Sequence, residues 1–338
     1  MVDNMSKDYK DLLTNICHNY TKSPILSAFP LGDGHINDTF LADTAEGKYV
    51  VQRVGDKLDT AKFEYNYELY ADILNKNGIY YPVWLKNTSG KRFFTDEYGC
   101  RWRMYKYIDS EIKSVLLKIE QLFFVGQGLS KLHMTLREIK ESPRAVYPHL
   151  HDLKYYYDTY VKLRNSDELC KENIDKTIDK AIDDNIDKML SIDPVKDFVV
   201  HGDAKLANIL FKDDKVIGFI DFDTIMNGSW LEDVADCIRS CCIDDGELNI
   251  SKAKQLINGY LSVSDNDMMC EDIRNEINNI GDVFNKICFE LGLRYYTDAL
   301  AKEKYFKEKY PGYSLERAKS LFSVKNQGII SLNLDLAK

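Results

Sequence analysis

The chain lacks the features that would place it in a membrane or on nucleic acid. No apolar run approaches the roughly 18 to 20 residues that a membrane-spanning helix needs, and residues 1–10 lack the apolar core of a signal peptide. Lysine and arginine form no dense run, and the formal net charge of -9 disfavours binding to an extended phosphate backbone. We therefore expect a cytoplasmic protein with neither a membrane nor a nucleic-acid partner. A monomer is a separate expectation that these features do not decide.

Cysteine is present, but without the close and regular spacing of a small secreted disulfide scaffold. The eight cysteines are therefore expected to stay reduced and buried. Cys237, Cys241 and Cys242 form the one cluster, and their spacing differs from the Cys-x-x-Cys type of zinc sites. We interpret these three residues as small core side chains on a helix. Glycine-serine and proline-rich tracts are also missing, so no linker separates independent domains.

Two polar patterns flanked by apolar residues lie near positions 200–223. In the first, His201-Gly-Asp203-Ala-Lys205-Leu-Ala-Asn208, the aspartate and the asparagine are five positions apart. This is the His-x-Asp-x-x-x-x-Asn spacing of the protein-kinase catalytic loop, where the aspartate receives the acceptor proton and the asparagine binds metal. In the second, an apolar strand-like run ends at Asp221, the place of the metal-binding aspartate in that pattern.

These patterns predict phosphoryl transfer from ATP with Mg²⁺ as the metal. The reaction requires positioning and charge compensation more than covalent chemistry. Asp203 is the predicted base, and Asn208 and Asp221 offer the oxygen ligands that magnesium prefers. Lys205 is predicted to reach the transferring phosphate as a point charge. Any one of these residues alone would be compatible with a turn cap, but their joint placement on strand, loop and strand favours the kinase hypothesis.

The 338 residues suit two domains or one domain of two lobes. The pattern of residues 1–104 predicts a small lobe of short strands with one helix. A glycine-bearing turn precedes the first of two strands, and the second strand covers Lys48–Val54. The helix covers Thr60–Lys76. Such a hairpin can cover phosphates with backbone N–H groups, although a plain hairpin also fits two glycines. Glutamates 64 and 68 are candidates to pair with a basic residue of the preceding strand.

A last strand, Arg101–Ile108, predicts a connection between lobes at residues 105–109, and adenine would contact backbone near Tyr105, Tyr107 and Ile108. From residue 110 to 338 helical patterns dominate, including Lys118–Leu136 and Leu150–Arg164. The expected fold class is therefore α+β. It has a small nucleotide-binding lobe with an antiparallel sheet and a larger, mainly helical lobe that carries the catalytic and acceptor-binding residues.

Through these residues the chain resembles the aminoglycoside phosphotransferase and choline kinase superfamily, which has a bilobal protein-kinase-like fold. Within this superfamily it resembles the N-acetylhexosamine 1-kinases. The narrowest likeness is Gly34-His-Ile-Asn-Asp-Thr-Phe40, which looks like the Gly-His-Ile-Asn-Asp-Thr-Tyr of that group. The Gln52-Arg53 pair and the Glu-x-Gly-x-Arg-x-x-Thr-Asp pattern at 290–298 are similar to it as well. The likeness runs from about residue 26 to residue 327 and also includes 150–152, 220–226, 233–239 and 315–318.

The resemblance implies ATP-dependent phosphorylation of the anomeric (C1) hydroxyl of an N-acetylhexosamine, either the gluco or the galacto epimer. It implies Asp203 as base, Asn208 and Asp221 as magnesium ligands, and Asp152, Arg239 and Arg294 as candidates, with Asp203, for holding the sugar. Asp233 is expected to brace the catalytic loop. The residues expected to contact the nucleotide are Gly32, Gly34, His35, Asn37, Thr39, Gln52 and Arg53, besides those of the connection.

Several alternatives stay open at the level of sequence. Arg294 can pair with Glu290 one helical turn earlier instead of holding a substrate, and Arg239 has a similar neighbour in Asp236. Where a protein kinase has a lysine on its third strand, this chain has Gln52 and Arg53, of which only one can face the nucleotide. The acceptor can be an aminoglycoside, choline or homoserine, and a catalytically silent pseudokinase that binds a nucleotide or sugar is a further alternative.

Overall fold

The computed structural model describes residues 2–31, 38–55, 58–113, 117–263, 276–302 and 304–324. The chain forms two compact units, one made of residues 1–72 and 80–109 and the other of residues 73–79 and 110–338. The mixed α+β architecture predicted from the sequence is confirmed. No helix in the described ranges is long and apolar enough to span a bilayer.

The first unit contains a five-stranded antiparallel sheet with the strand order β1-β2-β3-β5-β4. Its strands are β1 (Ile25–Pro30), β2 (Asp38–Thr44), β3 (Gly47–Val54), β4 (Phe94–Thr95) and β5 (Arg101–Lys106). The helices are α1 (Val2–His18) and α2 (Thr60–Lys76), whose last turn belongs to the second unit. The predicted bounds of α2 are therefore confirmed, whereas α1 is an additional helix that we did not predict.

Helix α1 buries an apolar stripe against one face of this sheet. Leu13, Ile16 and Cys17, at helical spacing, join a cluster with Val51 of β3 and Trp102 of β5. The apolar residues Met5, Tyr9, Leu13 and Cys17 are each four positions apart in the sequence, so the helical pattern was present and we missed it. Burial of this short stripe, rather than propensity over the whole segment, fixes the helix on the sheet.

The two glutamates of α2 pair with a loop arginine and not with the preceding strand. Arg92, which is 8% exposed, forms ion pairs with Glu64 and, at 2.7 Å, with Glu68. Its guanidinium also lies 4.1 Å from the ring centroid of Tyr67 on the same helix. Because glutamates four positions apart lie on one helix face, a single arginine contacts both, and the loop that carries it is attached to α2.

The second unit is mainly helical. Its helices are α3 (Ile119–Leu136), α4 (Leu153–Arg164), α5 (Lys176–Ser191), α6 (Trp230–Cys241), α7 (Ile250–Val263), α8 (Ile280–Leu300) and α9 (Tyr313–Ser323). One apolar core joins α4, α5, α8 and α9, with Tyr160, Ile182 and Leu293 among its buried members. Helix α8 has buried residues on every side, as expected for a helix whose apolar residues are spread around its circumference. This helix carries Arg294, one of the residues predicted to hold the acceptor.

Three short antiparallel pairs accompany these helices. They are β6 (Phe198–Val200) with β9 (Met226–Gly228), β7 (Ile209–Lys212) with β8 (Lys215–Phe219), and β10 (Ile243–Asp244) with β11 (Glu247–Leu248). The predicted catalytic pattern lies between β6 and β7. Cysteines 237, 241 and 242 are buried at the end of α6, as predicted for small core residues. No cluster of three His, Cys, Asp or Glu side chains suited to a metal occurs in the described ranges.

Candidate active site

The β7–β8 hairpin brings the two predicted metal ligands to one end of a strand pair. Asn208 directly precedes β7, and Asp221 follows β8 by one residue. Ile209 pairs with Phe219, and the N–H of Ile220 donates to the carbonyl of Asn208 at 2.9 Å. In an antiparallel pair the start of one strand lies beside the end of the next. The thirteen positions that separate the two residues in sequence are therefore closed by backbone pairing.

Asp221 adopts a left-handed backbone conformation, with φ 68° and ψ 46°. Such a conformation is uncommon for residues other than glycine and is retained at sites where the surrounding structure enforces it. It turns the chain sharply after β8 and into the short 3₁₀ helix Phe222–Thr224. This turn ends the strand at the position that the sequence pattern assigns to the metal-binding aspartate.

Asp203 and Asn208 are in direct contact. The Asn208 amide Nδ2 donates to the Asp203 carbonyl at 2.8 Å and to its Oδ2 at 3.0 Å. With the amide nitrogen committed to these two bonds, the Asn208 Oδ1 is left as the acceptor or ligand atom, and no residue in the described ranges donates to it. Asn208 is 4% exposed. The contact therefore fixes both the base and the oxygen that a cation would use.

Lys205 forms an ion pair with the carboxylate of Asp203. Its Nζ is 2.6 Å from Asp203 Oδ2. Burial works against the charge of Lys205, but Asp203 and Asp221 outweigh it and raise the pKa of the ammonium. Burial likewise opposes ionisation of Asp203, but the adjacent Lys205 outweighs it and lowers the pKa of the carboxyl. Asp203 is thus held as a carboxylate whose Oδ2 is occupied, while its Oδ1 accepts no hydrogen bond from the described part of the chain.

Helix α6 holds the catalytic loop through a buried carboxylate. Asp233, 1% exposed, accepts the backbone N–H of His201 at 2.8 Å and that of Gly202 at 2.9 Å. His133 Nε2 of α3 lies 3.0 Å from the same carboxylate. Burial opposes the charge of Asp233, but the hydrogen bond and charge of His133 outweigh it and lower the pKa of the carboxyl. The predicted bracing role of Asp233 is confirmed by these contacts.

A second hydrogen bond from α6 and a close approach between two backbone segments also hold the catalytic loop in place. Ser240, two turns after Asp233 on the same helix, accepts the N–H of Leu206 at 2.9 Å. Gly202 has φ 80°, and a Cβ at this position would lie 2.5 Å from the carbonyl oxygen of Thr224. Only glycine combines this backbone conformation with that approach. The loop from His201 to Asn208 is therefore fixed by α6 on one side and by the segment after β8 on the other.

His201 is neutral and structural. Its Nε2 donates to the carbonyl of Ile220 at 2.9 Å, and its Nδ1 accepts the N–H of Asp203 at 3.3 Å. One nitrogen as donor and one as acceptor is the hydrogen-bonding pattern of an uncharged imidazole. Burial lowers the pKa of His201, against the opposing charge of Asp233. The histidine of the His-x-Asp pattern thus ties the catalytic loop to the strand that leads to Asp221.

Arg294 has no carboxylate partner among the described residues. Its guanidinium lies between two aromatic rings, 4.8 Å from the centroid of Tyr156 on α4 and 5.6 Å from that of Phe306. The alternative pairing with Glu290, one turn earlier on α8, is not made. Stacking on aromatic faces holds an arginine in place while leaving its in-plane donors available. These donors are what an acceptor-binding residue needs.

The other two acceptor candidates have internal partners. Asp152 is the N-cap of α4 and accepts the N–H of Tyr155 at 3.0 Å, while His149 Nδ1 lies 3.1 Å from its other oxygen. Arg239 donates through Nε to Asp236 at 2.7 Å, and both side chains are about one-tenth exposed. The neighbour pairing that we considered for Arg239 therefore exists. Its role in holding a substrate, like that of Asp152, stays a prediction.

We did not predict the contacts of His151, which connects α8 to the catalytic loop. His151 has φ 58°; its Nε2 donates to the carbonyl of Gly202 at 3.0 Å, and its Nδ1 lies 3.5 Å from Glu290 Oε1. The Leu-His-Asp motif drew attention to this segment in sequence, but nothing local indicated a partner 139 positions further along the chain. Only the packing of α8 brings the two together.

In the first unit, Gln52 and Arg53 point to opposite faces of the sheet. Gln52 Nε2 donates to Thr39 Oγ1 at 3.1 Å, and Arg103 Nε donates to Gln52 Oε1 at 3.1 Å. Arg103 lies over Trp84, 4.1 Å from its ring centroid. Arg53 instead pairs with Asp38 at 2.9 Å on the surface. Of the two candidates, Gln52 therefore shares a face with Thr39, the predicted nucleotide contact, and Arg53 does not.

The remaining nucleotide candidates are divided between described and undescribed residues. Gly32, Gly34, His35 and Asn37 lie outside the described residues. Tyr105 is a strand residue whose ring packs against Trp84 at 4.8 Å, and the N–H of Tyr107 donates to the carbonyl of Lys48 at 2.9 Å. Ile108 follows as a half-buried residue after the strand. Contacts of these residues with a nucleotide stay a prediction.

A sequence model of the phosphotransferase enzyme family matches residues 28–264. The chain belongs to this family. The match covers β2 to α7 and with them the catalytic loop, Asp221 and the bracing helix. The predicted superfamily is thereby confirmed, and the chain is a phosphotransferase of the kinase-like type. The match does not address which acceptor this phosphotransferase uses.

Relatives and solved structures agree with this assignment. The homoserine kinase of Rhodopseudomonas palustris is 22% identical over 247 residues, which span 71% of this chain and 72% of that protein; that of Parvibaculum lavamentivorans is 23% identical over 72% and 74%. The phosphotransferase shares its fold with an amicoumacin kinase in complex with AMP-PNP and Ca²⁺, with TM-score 0.62 and 13% identity over 94% of this chain and 93% of the other. A choline kinase from Cryptosporidium parvum gives TM-score 0.58 and 14% identity over 93% of both chains.

Proposed function

We propose that this phosphotransferase is an ATP-dependent kinase that phosphorylates the anomeric hydroxyl of an N-acetylhexosamine and releases a sugar 1-phosphate and ADP. The observation that carries the kinase chemistry is the arrangement of Asp203, whose Oδ2 is occupied by Lys205 and Asn208 while Oδ1 accepts no hydrogen bond from the described residues. The sugar acceptor is supported by the narrow motifs at 34–40 and 290–298. We further propose that the enzyme acts as a monomer.

In the proposed reaction the acceptor hydroxyl donates a hydrogen bond to Asp203 Oδ1. As its oxygen bonds to the γ-phosphorus of ATP, the bond from that phosphorus to the β–γ bridging oxygen breaks, and the hydroxyl proton passes to Asp203. An anomeric hydroxyl is more acidic than an ordinary alcohol, so a carboxylate with a lowered pKa suffices to orient it and to accept its proton late. The fixed position of Oδ1 lowers the entropic cost of this alignment.

The donor set fits magnesium. Asn208 Oδ1 and the carboxylate of Asp221 are hard oxygen ligands placed at one end of the β7–β8 hairpin. These two residues would hold the ion, which supplies neutralisation of the charge on the ATP phosphates when bound. Lys205 adds a fixed positive charge beside the base. We propose that it stabilises the carboxylate before the reaction and compensates phosphate charge during it.

Arg294 is the residue through which we propose that the acceptor is held. Its guanidinium is fixed between Tyr156 and Phe306 and has no described carboxylate partner, so its donors can bind several oxygens of a sugar ring at once. Asp152 and Arg239 are further candidates at the ends of α4 and α6. On this basis a sugar with adjacent hydroxyl and acetamido oxygens is a suitable acceptor.

A second candidate is homoserine kinase. Two relatives of that name are similar to more than two thirds of this chain, and an unpaired arginine would bind the carboxylate of an amino acid through two parallel hydrogen bonds. In this alternative Asp203 would accept the proton of a primary hydroxyl, with the same metal ligands. Arg294 thus fits either acceptor, and the choice between them depends on direct measurement.

The test is coupled release of ADP with purified protein, ATP and Mg²⁺, using N-acetylglucosamine, N-acetylgalactosamine, glucose, homoserine, choline and kanamycin as acceptors. We expect the highest kcat/KM with an N-acetylhexosamine. Turnover confined to homoserine would establish the second candidate, and turnover confined to choline or kanamycin would reject both. The Asp203→Asn variant is the control that identifies turnover from a contaminating kinase.

A further inference from the structure

The acceptor arginine and a buried glutamate occupy positions on α8 that normally form an ion pair. Glu290 and Arg294 are four positions apart with the glutamate first, which is the favourable order for such a pair on a helix. Glu290 is 2% exposed, and a buried carboxylate is costly unless it is paired. Both the spacing and the burial therefore favour a contact that the structure does not contain.

His151 occupies the place of that partner. Its Nδ1 lies 3.5 Å from Glu290 Oε1, and the histidine side chain is 10% exposed. Burial disfavours a charge on His151, but the adjacent carboxylate of Glu290 outweighs it and raises the pKa of the imidazole to about 9. The histidine is therefore a cation at neutral pH. The other carboxylate oxygen, Oε2, is buried without a hydrogen bond, so Glu290 retains the capacity to attract a second cation.

The same histidine contacts the catalytic loop. Its Nε2 donates to the carbonyl of Gly202 at 3.0 Å, directly before the proposed base. His151 also has a left-handed backbone, with φ 58°, a conformation that costs free energy for a residue of this type and persists where the surrounding contacts enforce it. Both ring nitrogens of His151 thus face groups of the active region, one on α8 and one on the loop.

We propose that His151 is a positioning residue that, by holding the carboxylate of Glu290, prevents its ion pair with Arg294 and keeps the guanidinium free for the acceptor. Its bond to the carbonyl of Gly202 fixes this arrangement relative to Asp203. The inference rests on the proposed role of Arg294 in holding the acceptor. Without the imidazolium, Glu290 draws Arg294 into an ion pair along α8, and the acceptor competes with that carboxylate for the same donors.

The kinetic test is a double-mutant cycle with His151→Asn and Glu290→Gln in the full-length protein. Asparagine tolerates the left-handed conformation, so the first substitution removes the imidazole without backbone strain. We expect His151→Asn to raise the acceptor KM by about tenfold, with a smaller effect on the KM for ATP. Adding Glu290→Gln removes the competing carboxylate and returns the acceptor KM to within about threefold of the wild type. His18→Asn, at the exposed end of α1, is the matched control.

A double variant that is as impaired as His151→Asn, or a single variant with an unchanged acceptor KM, overturns the inference. The cycle uses whichever acceptor is turned over best, so failure of the N-acetylhexosamine assignment leaves this test intact. A second readout needs no acceptor at all: modification of Arg294 by phenylglyoxal, followed by peptide mass spectrometry. We expect several-fold slower modification in His151→Asn and recovery in the double variant; equal rates in all three proteins contradict the proposal.

Discussion

Lys205 lies directly against the proposed base Asp203, with 2.6 Å between Nζ and Oδ2. The two residues are two positions apart in sequence, and the loop between them contains no regular structure. Their contact means that the base is kept ionised by a neighbour on its own loop and not by solvent. One oxygen of the carboxylate is thereby used for positioning, and the other is available for chemistry.

Replacement of Asp203 by Asn therefore removes the proton acceptor while keeping size and one hydrogen-bonding oxygen. We expect kcat to fall by about 10²- to 10⁴-fold with little change in stability. Turnover is measured by coupled ADP release and folding by thermal unfolding. Asp213→Asn, at an exposed turn residue with φ 48° that asparagine also adopts, is the matched control. Retention of wild-type turnover in Asp203→Asn would show that another group accepts the proton.

The brace from α6 makes a separate prediction about stability. Asp233→Asn leaves one of the two loop N–H groups, or His133, without its charged partner in a buried position. Loss of a buried charged partner costs on the order of 2–4 kcal/mol in the free energy of unfolding, and the displaced loop lowers kcat as well. Urea unfolding and steady-state kinetics measure the two effects. Asp282→Asn, whose contact with Lys188 is a 4.0 Å pair on the surface, should change stability by less than about 0.5 kcal/mol.

The catalytic pattern could be predicted from sequence because its spacing and chemistry are local in the chain. The spacing of five from Asp203 to Asn208 and the apolar run before Asp221 needed no tertiary information, whereas the bracing role of Asp233, 30 positions after Asp203, came from the family resemblance. Helix α2 was predictable for a similar reason, since Phe63, Tyr67 and Tyr70 repeat at helical spacing and are buried.

The contacts that select between alternatives could not be predicted. A glutamate and an arginine spaced like Glu290 and Arg294 can form an ion pair on any helix. Only the three-dimensional structure shows that Glu290 contacts His151 instead. The partner of Glu64 and Glu68 is Arg92, which lies on a loop 28 positions after the first of them. Such choices depend on which side chains long-range packing brings within reach, and neither periodicity nor motif spacing encodes that.

The close approach of Gly202 to Thr224 in the catalytic loop can be tested by substitution, with Gly246 as the reference position. Gly202 and Gly246 have nearly the same backbone, with φ 80° and 83°, but a Cβ at Gly202 meets Thr224 at 2.5 Å while one at Gly246 meets nothing within 4 Å. Substitution of either by alanine costs about 1–2 kcal/mol of backbone strain. The clash adds to this only in Gly202→Ala, which should be the less stable variant and lose most of its turnover. Equal stability of the two variants would mean that the loop relaxes freely.

The raised pKa of His151 makes stability depend on pH. Burial lowers this pKa, but the adjacent carboxylate of Glu290 outweighs burial and brings it to about 9, above the ordinary value of 6.5. A pKa raised by folding contributes stability that is complete below the unfolded pKa and is lost as pH rises through the folded one. We expect the free energy of unfolding to fall between pH 6.5 and 9.5, by at most on the order of 3 kcal/mol from this residue.

Because other groups titrate in the same range, the informative quantity is the difference between the wild type and His151→Asn in urea unfolding at each pH. That difference should be largest near pH 6.5 and should shrink steadily toward pH 9.5, since the imidazolium that stabilises Glu290 loses its proton. A difference that stays constant with pH would mean that folding does not raise the pKa of His151. A difference that grows with pH would mean that folding lowers this pKa.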